Sequence, residues 1–468
     1  MGHSDDIALM AHLMRRAGFG ATRDELETLV AAGYEETVEE LIDPKKGQQA
    51  DENILMRYYP SSLPSNALPD GKVRWMYHLL NTGRPLEEKM VLFWHCVFAT
   101  GQAKVDGYTA MHHQMAMFRR NGMGSYRELL VNLAKDPAML FWLDNIENHK
   151  GAVNENWGRE LLELFSMGVD NYTEDDVIEA SRAFTGWTIG LVPALAAGKG
   201  SNWFFEYLPE DHDDGEKTFL GHTGNFNGED IIDIIVQQPA TERFISRHLY
   251  NFFVADEPQV PSWTIEPPAD PEAIEILSKA LRESNFEMRP VLRTLFNSDF
   301  FKRARFAKVK SPAELVVGTY RLVGNQNFLK PRFGLRASLP GILGQDLQNP
   351  PSVEGWHTGQ EWINSGSLMS RINFVADLIS DTNLPGVQSI IDRVRSKGDQ
   401  SPEELVDNCL DILGPMENLE PNTREDLLSS AREEGELCWG TESEAEISTQ
   451  RIAALLQLVV STKEYQFG

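Results

Sequence analysis

The sequence predicts a mainly α protein, a large multi-helix globular fold with a small β-hairpin insertion around residues 203–220. Three observations support this. Apolar residues recur at helical spacing along most of the chain, often between a Ser or Thr cap and a closing glycine. Residues 190–225 interrupt this spacing with two short strand-like segments around an Asp/Gly turn. The composition is that of a folded protein, with 41% hydrophobic and 24% charged residues.

Helices are predicted in the first part of the chain from caps, glycine stops and apolar spacing. KMVLFWHCVFATG is apolar nearly all round, which predicts a buried helix. YPSSLPSNALPDG is rich in Pro, Ser and Asn and is predicted to be a loop. The predicted helical segments are IALMAHLMRRAG, TRDELETLVAAG, TVEELID, Lys72–Val105, Gly107–Asn121, Ser125–Lys135, Asn154–Met167 and Thr173–Thr188.

The later elements are predicted in the same way. LVPALAAGKGSN is a loop, and NWFFEYLPEDHDDGEKTFLG is predicted to form the hairpin. Helices resume at residues 228–254 and again, after a Pro-rich connection, up to about Gly324. Residues 331–367 are rich in Pro, Gly and Trp and are predicted to be a long loop, which in a compact chain is usually functional.

Two regions are predicted from length and charge. Residues 1–395 form a main helical domain that includes the hairpin and the long loop, and residues 396–468 form an acidic helical segment packed on it. Residues 401–447 hold 14 acidic and two basic residues. Because Leu, Ile and Val are periodic there, the acids are expected to form a solvated helical face.

The net charge of −27 argues against nucleic acid or an anionic membrane surface as the main partner. No window approaches the roughly 18 apolar residues of a membrane helix. Three cysteines, an odd number within predicted helices, argue against a disulfide framework. The acidic start MGHSDDIALM lacks the basic region of a signal peptide, so a cytoplasmic location is expected.

The helix of NENWGRELLELFSMG carries the densest polar pattern. Trp157 and Leu161 lie on its apolar face, while Glu155, Arg159 and Glu163 follow at i, i+4 and i+8 as an ion-pair ladder. Asn156 and Glu160 lie between the two faces, where a half-buried carboxylate is expected to have a perturbed pKa. The same pattern is also typical of a purely structural helix.

The turn after this helix has a structural interpretation. Gly168 is a typical helix end, and Thr173 with Asp176 resembles a capping box that starts the next helix. Much of GVDNYTEDDV is therefore predicted only to end one helix and to cap the start of the next.

His95 lies on the apolar helix and has two interpretations. It is a core histidine bonded to backbone, or it pairs with a carboxylate such as Glu160 for acid/base chemistry or metal binding. His112 and His113 are adjacent, so they point apart on a helix. The chain lacks HExxH, CxxC, nucleophile-elbow, P-loop and Rossmann glycine motifs, which removes the simplest hydrolase, ATPase and dinucleotide hypotheses.

EDHDDGEKTFLGHTG crowds Asp211, His212, Asp213 and Lys217 around the predicted hairpin turn. Asp and Gly are ordinary turn residues, and the segment does not fit the calcium-loop pattern. The letters DHDD also match the Asp-x-Asp-Asp motif of class II terpene cyclases. That motif protonates an alkene through its middle acid, here Asp213, which is a minor alternative.

Eight segments match the motifs of one family almost from end to end, over roughly residues 8–467. They are HLMRRAGFGAT, LFWHCVFATG, NENWGRELLELFSMGVDNYTEDDVIEASRAFTGW, HDDGEKTFLG, QPATERFISRHLYNFFV, VKSPAELVVG, LGQDLQNPPSVEGWHTGQEWINSGSLMSRINF and LLQLVVSTKEYQF. In these segments the chain resembles a bacterial family, the domain-of-unknown-function family 1800.

The resemblance implies a mostly helical protein, often exported, with a sulfatase- or phosphatase-like protein as its partner. This chain departs from the pattern where many members have Trp-His-Asn-His-Phe, since it has Cys96 and Val97 after His95. The polar or aromatic positions that the family motifs mark are His95, Asn154, Glu155, Asn156, Arg159, Glu160, Glu163, His212, Lys217, Trp356 and Asn364.

Two hypotheses about function remain open. In the first, the protein is an enzyme that uses a buried polar site for acid/base or metal-assisted chemistry on a small polar or anionic substrate. Its predicted catalytic residues are His95, Glu160, Arg159, His212 and Lys217, and its predicted substrate-binding residues are Asn156, Asp213, Trp356 and Asn364. In the second, the polar motifs are structural and the protein is a non-catalytic scaffold or binds a partner. The sequence names no cofactor.

Overall fold

The protein is built mainly from helices, which confirms the predicted fold class. The computed structural model describes residues 3–44, 47–58, 70–105, 108–191, 203–324, 333–414 and 419–468. The predicted loops at YPSSLPSNALPDG and LVPALAAGKGSN lie almost entirely outside these residues. Within the described residues there are 24 α-helices and two small antiparallel sheets.

The first twelve helices precede the strands. They are α1 (His3–Arg16), α2 (Arg23–Ala32), α3 (Tyr34–Ile42), α4 (Glu52–Tyr58), α5 (Asp70–Asn81), α6 (Pro85–Val97), α7 (Gln102–Val105), α8 (Tyr108–Asn121), α9 (Tyr126–Ala134), α10 (Pro137–Trp142), α11 (Asn156–Glu163) and α12 (Glu174–Ala183).

Four strands follow, and then the remaining twelve helices. The strands are β1 (Trp187–Leu191), β2 (Trp203–Tyr207), β3 (Lys217–Phe219) and β4 (His222–Gly224). The helices are α13 (Gly228–Ile235), α14 (Pro239–Phe253), α15 (Pro271–Glu283), α16 (Met288–Asn297), α17 (Asp299–Arg303), α18 (Pro312–Leu322), α19 (Phe333–Ile342), α20 (Ser365–Ile379), α21 (Pro385–Arg395), α22 (Pro402–Ile412), α23 (Pro421–Glu433) and α24 (Glu442–Val460).

The strands lie where expected, but they pair differently. β2 pairs with β1, with Trp187 opposite Tyr207, and β3 pairs with β4, with Lys217 opposite Gly224. The prediction of a single hairpin between the two strand segments of residues 203–220 is therefore wrong. The predicted helix over Thr173–Thr188 also ends early, at Ala183, and its last residues enter β1.

The prediction of a long loop over residues 331–367 is partly wrong. Residues 333–342 form α19, which keeps its helical path despite Pro340. The rest is irregular up to a short 3-10 turn at Gly359–Ile363, after which α20 begins. Asn364 ends the irregular segment, and its side chain accepts hydrogen bonds from the amides of Gly366 and Ser367.

Helix α6 lies at the centre of the core, as its apolar sequence predicted. Its residues are buried apart from Pro85, Glu87 and Cys96, and it packs against α3, α5 and α8. Phe93 and Trp94 extend the aromatic core toward α14 and toward Tyr126 on α9. Glu88, Lys89 and His95 of α6 are therefore held inside the protein.

The acidic segment 396–468 is helical and contacts the rest of the chain. α24 packs on α20, and Gln457 donates to the carbonyl of Ala376. Arg23 forms an ion pair with Asp411, and Val309 forms a β-bridge with Phe467. The division into two regions stays a prediction. No helix in the described part of the chain is long and apolar enough to cross a membrane.

Gly186 explains why α12 cannot continue to Thr188. Its φ is +75°, and a Cβ there would lie 2.5 Å from the carbonyl oxygen of Leu208. Only glycine combines this left-handed backbone with that close approach. Gly186 thus turns the chain into β1 and fixes its approach to the segment that follows β2.

We expect Gly186→Ala to lower the free energy of unfolding by about 2–4 kcal/mol, because both left-handed strain and steric overlap oppose it. Gly151→Ala is the matched control, since Gly151 has a φ of +81° but no atom lies within 4 Å of the position that a Cβ would take. That control should cost only about 1 kcal/mol. Urea unfolding of both variants measures the difference, and equal losses would contradict the crowding argument.

Candidate functional site

Helix α11 is fixed by its apolar face. Trp157 is buried with its ring against Phe165 and Phe184, and Leu161 is fully buried. α11 packs on α12, whose start is capped by Thr173 and Asp176 as predicted. The polar side of α11 is therefore presented away from the core.

The predicted ladder on α11 is confirmed in its first pair only. Arg159 donates to Glu155 at 3.1 Å, but its second partner is Glu174 on α12 at 2.7 Å. Glu163 instead accepts a hydrogen bond of 3.1 Å from the hydroxyl of Tyr172. Arg159 thus joins α11 to α12. The predicted ion pair between Arg159 and Glu163 does not form.

Glu160 has the perturbed carboxyl group that its boundary position predicted. Burial raises its pKa to about 7, and the negative charges of Glu163 and Glu354 add to the shift while Arg159 opposes it. No described residue donates a hydrogen bond to its carboxyl group. Glu160 therefore exchanges a proton near neutral pH, as a general acid or base must.

A cleft of about 410 Å³ lies beside this helix. Glu163 of α11 and Glu354 of the irregular segment line it, and both lie within electrostatic reach of Glu160. Arg243, on α14, also lines it and makes no ion pair or hydrogen bond with any residue that the structure describes. The size and the convergent polar groups are typical of a small-molecule site.

The far wall of the cleft is aromatic. Phe244 and Trp263 line it, with ring centroids 5.5 Å apart. The Arg247 guanidinium stacks 4.6 Å above the Trp263 ring and is neutralised by Glu257 at 2.7 Å. Arg247 is therefore committed to the protein, whereas Arg243 is available to a ligand.

Residues 168–171 form part of the cleft wall. The sequence predicted only a helix end and a helix cap in this segment. Gly168 has a φ of +78°, and a Cβ there would lie 2.9 Å from the Phe244 ring. Asp170 is a non-glycine residue with a φ of +69°. Left-handed non-glycine residues concentrate at functional sites, but the sequence alone gives no φ.

His95 is enclosed by aromatic rings. The Trp75 and Trp356 rings each lie edge-on at 5.3 Å, and neither ring nitrogen of His95 has a hydrogen-bond partner in the described chain. Burial lowers its pKa to about 3, so the imidazole is neutral at physiological pH. The expected backbone hydrogen bond is absent from the described residues.

His212 and Asp213 lie on the turn before β3, and Lys217 is the first residue of that strand. The carbonyl of Thr185 lies 2.9 Å from His212 Nδ1, and Lys217 donates to the carbonyls of Asp213 and Gly215. Arg182 holds the Asp213 carboxylate at 2.7 Å and lowers its pKa to about 2. A carboxylate kept ionised in this way does not supply the proton of terpene-cyclase chemistry.

Trp356 and Asn364 line a second cleft, of about 650 Å³. Trp356 is mostly buried, while Asn364 uses its side chain to cap α20. Asn156 is exposed, and its amide reaches Asp144 at 3.4 Å.

Apart from Asn156 and Asn364, the predicted site residues thus fall into three groups. Glu160 lies with Arg159, His95 lies with Trp356, and His212 lies with Asp213 and Lys217. Among the described residues, no hydrogen bond, ion pair or ring contact joins one group to another. The described residues also contain no cluster of three His, Cys, Asp or Glu side chains able to hold a metal ion.

The raised pKa of Glu160 predicts that the stability of the protein depends on pH. Its carboxyl group binds a proton more tightly in the folded than in the unfolded state, so it lowers stability as pH rises from about 4.5 to above 7. We expect Glu160→Gln to raise the free energy of unfolding at pH 8 by about 1–2 kcal/mol, after allowance for solvent screening.

Urea unfolding at several pH values measures this effect. At pH values below about 4.5 the variant should match the wild type, because the carboxyl group is then protonated in both states. Glu155→Gln, on the same helix, is the control and should lose only a few tenths of a kcal/mol from an exposed ion pair. A Glu160→Gln variant that is less stable than the wild type at pH 8 would refute the raised pKa of Glu160.

Comparison with known proteins gives one family and no individual relative. No curated protein and no solved structure matches the chain. The family described as "Protein of unknown function (DUF1800)" matches residues 12–467, and this range includes the core helix α6, the α11–α12 pair, the strands and every residue of the cleft. The chain therefore belongs to the DUF1800 family.

Proposed function

We propose that the protein is an enzyme that uses Glu160 as a general acid or base on a small polar substrate bound in the cleft of Glu163, Glu354 and Arg243. The observation that carries the proposal is that Glu163, Glu354 and an arginine that no described residue pairs with, Arg243, line one cleft, and that Glu160, which lies behind the lining, is within electrostatic reach of both carboxylates. Burial, with the neighbouring negative charges adding to it, raises the pKa of Glu160 to about 7, so this group retains its proton near neutral pH.

The remaining groups of the cleft have roles that follow from their contacts. Tyr172 donates to Glu163, so this carboxylate has a fixed orientation and acts as a hydrogen-bond acceptor for substrate hydroxyl or amine groups. Arg243 binds an anionic group of the substrate. Phe244 and Trp263 supply an apolar surface that excludes water from one side.

The structural hypothesis fits the turn around His212 and Lys217 better than the cleft. The hydrogen bonds of these side chains go to backbone carbonyls, and Asp213 is neutralised by Arg182. Such a network fixes β3 and the end of α12. The sulfatase- or phosphatase-like partner stays a prediction.

Activity should depend on the protonation of Glu160. We expect Glu160→Gln to lower kcat/KM by roughly 100-fold or more, the usual loss when a general acid or base is removed. Wild-type activity should change with a midpoint near pH 7. Chromogenic nitrophenyl esters, glycosides and phosphates provide a first screen, followed by steady-state kinetics on any compound turned over.

Two further variants separate chemistry from binding. Arg243→Gln should raise KM with a smaller effect on kcat if it holds the substrate's anionic group. Glu155→Gln leaves the cleft unchanged and should retain wild-type kinetics. Full activity of Glu160→Gln on a substrate that the wild type turns over would refute the proposal.

A further inference from the structure

We propose that a separate cavity between α1 and α18 binds a small doubly charged oxyanion, a phosphate or sulfate group, through the guanidinium of Arg15. This site shares no residue with the cleft beside Glu160. It is therefore independent of the proposed catalytic function.

The cavity has a volume of about 130 Å³, well above the roughly 10–15 Å³ needed for one water. Its walls come from the end of α1, the start of α2, helix α18 and the segments around Gly414 and Tyr465. Four basic residues line it, namely Arg15, Arg16, Lys310 and Arg321.

The surroundings of this cavity hold more buried cations than anions. Lys89 and Arg371 are fully buried beside the lining residues. Among the described residues, Glu314 is the only buried carboxylate in the cavity wall, and it is shared by Arg16 at 3.0 Å and by Lys89. Glu25, the other lining carboxylate, is exposed and accepts from its own helix cap, Thr22.

Arg15 is the cation of this wall that lacks an acceptor in the described part of the chain. Its Nε and Nη2 atoms are buried with no hydrogen-bond partner there, and the guanidinium lies 4.8 Å above the Phe306 ring. The adjacent Arg16, by contrast, donates to Glu314 and to the carbonyls of Phe252 and Phe253. Buried guanidinium nitrogens without an acceptor cost free energy that an anion would recover.

The atoms left unpaired in Arg15 are the ones that bind carboxylates elsewhere in this chain. Arg119 uses Nε and Nη2 to hold both oxygens of Glu88, and Arg127 and Arg293 hold Asp233 and Glu39 in the same way. This planar fork matches two oxygens of an oxyanion. The fork of Arg15 has no such partner among the described residues.

Electrostatic repulsion around the cavity favours a divalent ligand. Burial lowers the pKa of Arg15 to about 10, and Arg16 contributes to that shift. Burial, Arg15 and Arg371 together hold the pKa of Lys310 well below its usual range. A bound dianion would oppose these repulsions at several cations at once, which a chloride ion does less well.

Thermal unfolding of the full chain tests the site. At matched ionic strength, about 10 mM phosphate or sulfate should raise Tm by roughly 2 °C or more relative to chloride, because a ligand bound only by the folded state stabilises it. Arg15→Met keeps the packing on Phe306 but removes the charge. It should abolish this shift and leave Tm in chloride unchanged or higher, whereas a purely structural Arg15 would give a lower Tm in chloride.

Arg293→Met is the matched control, because it removes an arginine that holds a carboxylate at the exposed surface. It should keep the phosphate shift. Equal shifts in chloride and phosphate, or a phosphate shift retained in Arg15→Met, would overturn the proposal.

Calorimetric titration with inorganic phosphate covers the case in which Arg15→Met does not fold. Arg15→Lys keeps the charge but loses the fork and should weaken binding about tenfold, and absence of binding to the wild type would overturn the proposal.

Phenyl phosphate identifies the source of the ligand. Tighter binding than phosphate indicates the end of a larger molecule, and weaker binding indicates the free ion.

Discussion

The carboxylate of Glu314 is the interaction on which the helical assembly depends. It accepts hydrogen bonds from Arg16 of α1, Lys89 of α6 and the Ser311 amide that starts α18. Burial alone would raise its pKa, but Lys89 and Arg16 outweigh burial and hold the pKa well below its usual range. Because Arg16 also binds carbonyls at the end of α14, one carboxylate joins four helices. Removal of such a group leaves buried cations unpaired, which is far costlier than loss of a surface ion pair.

The two proposed sites are opposite in charge, and both arise from uneven neutralisation. In the cavity near Glu314, buried cations exceed carboxylates, although the chain carries a net charge of −27. At the cleft, the negative charges of Glu163 and Glu354 act on nearby Glu160, while Arg159 forms its shorter ion pair with Glu174. Groups that the fold leaves uncompensated are the ones available to substrates and ligands, since satisfied ion pairs already have their partners.

Part of the site could be predicted from the sequence. The position of Glu160 between the two faces of α11 predicted a half-buried carboxyl group with a perturbed pKa, and the structure confirms it. Helical periodicity defines such a boundary from local spacing alone. The sequence did not reveal Glu354 and Arg243, because they lie far from Glu160 along the chain and carry no local pattern. It also did not reveal Arg15, since an arginine near the end of a helix is ordinarily a solvated residue.

Local sequence was sufficient for the helical class, the buried helix α6, the capping box at Thr173 and the family motifs, because each depends on neighbours within a few residues. Contacts between distant segments determine which strands pair and which residue is the second ion-pair partner of Arg159. They also determine which charged side chains have no ion-pair partner. Strand pairing differed from expectation because β2 and β3 take their partners, β1 and β4, from outside the segment that was predicted to form the hairpin. Charge compensation depends in the same way on side chains that are distant in sequence, so local spacing does not encode it.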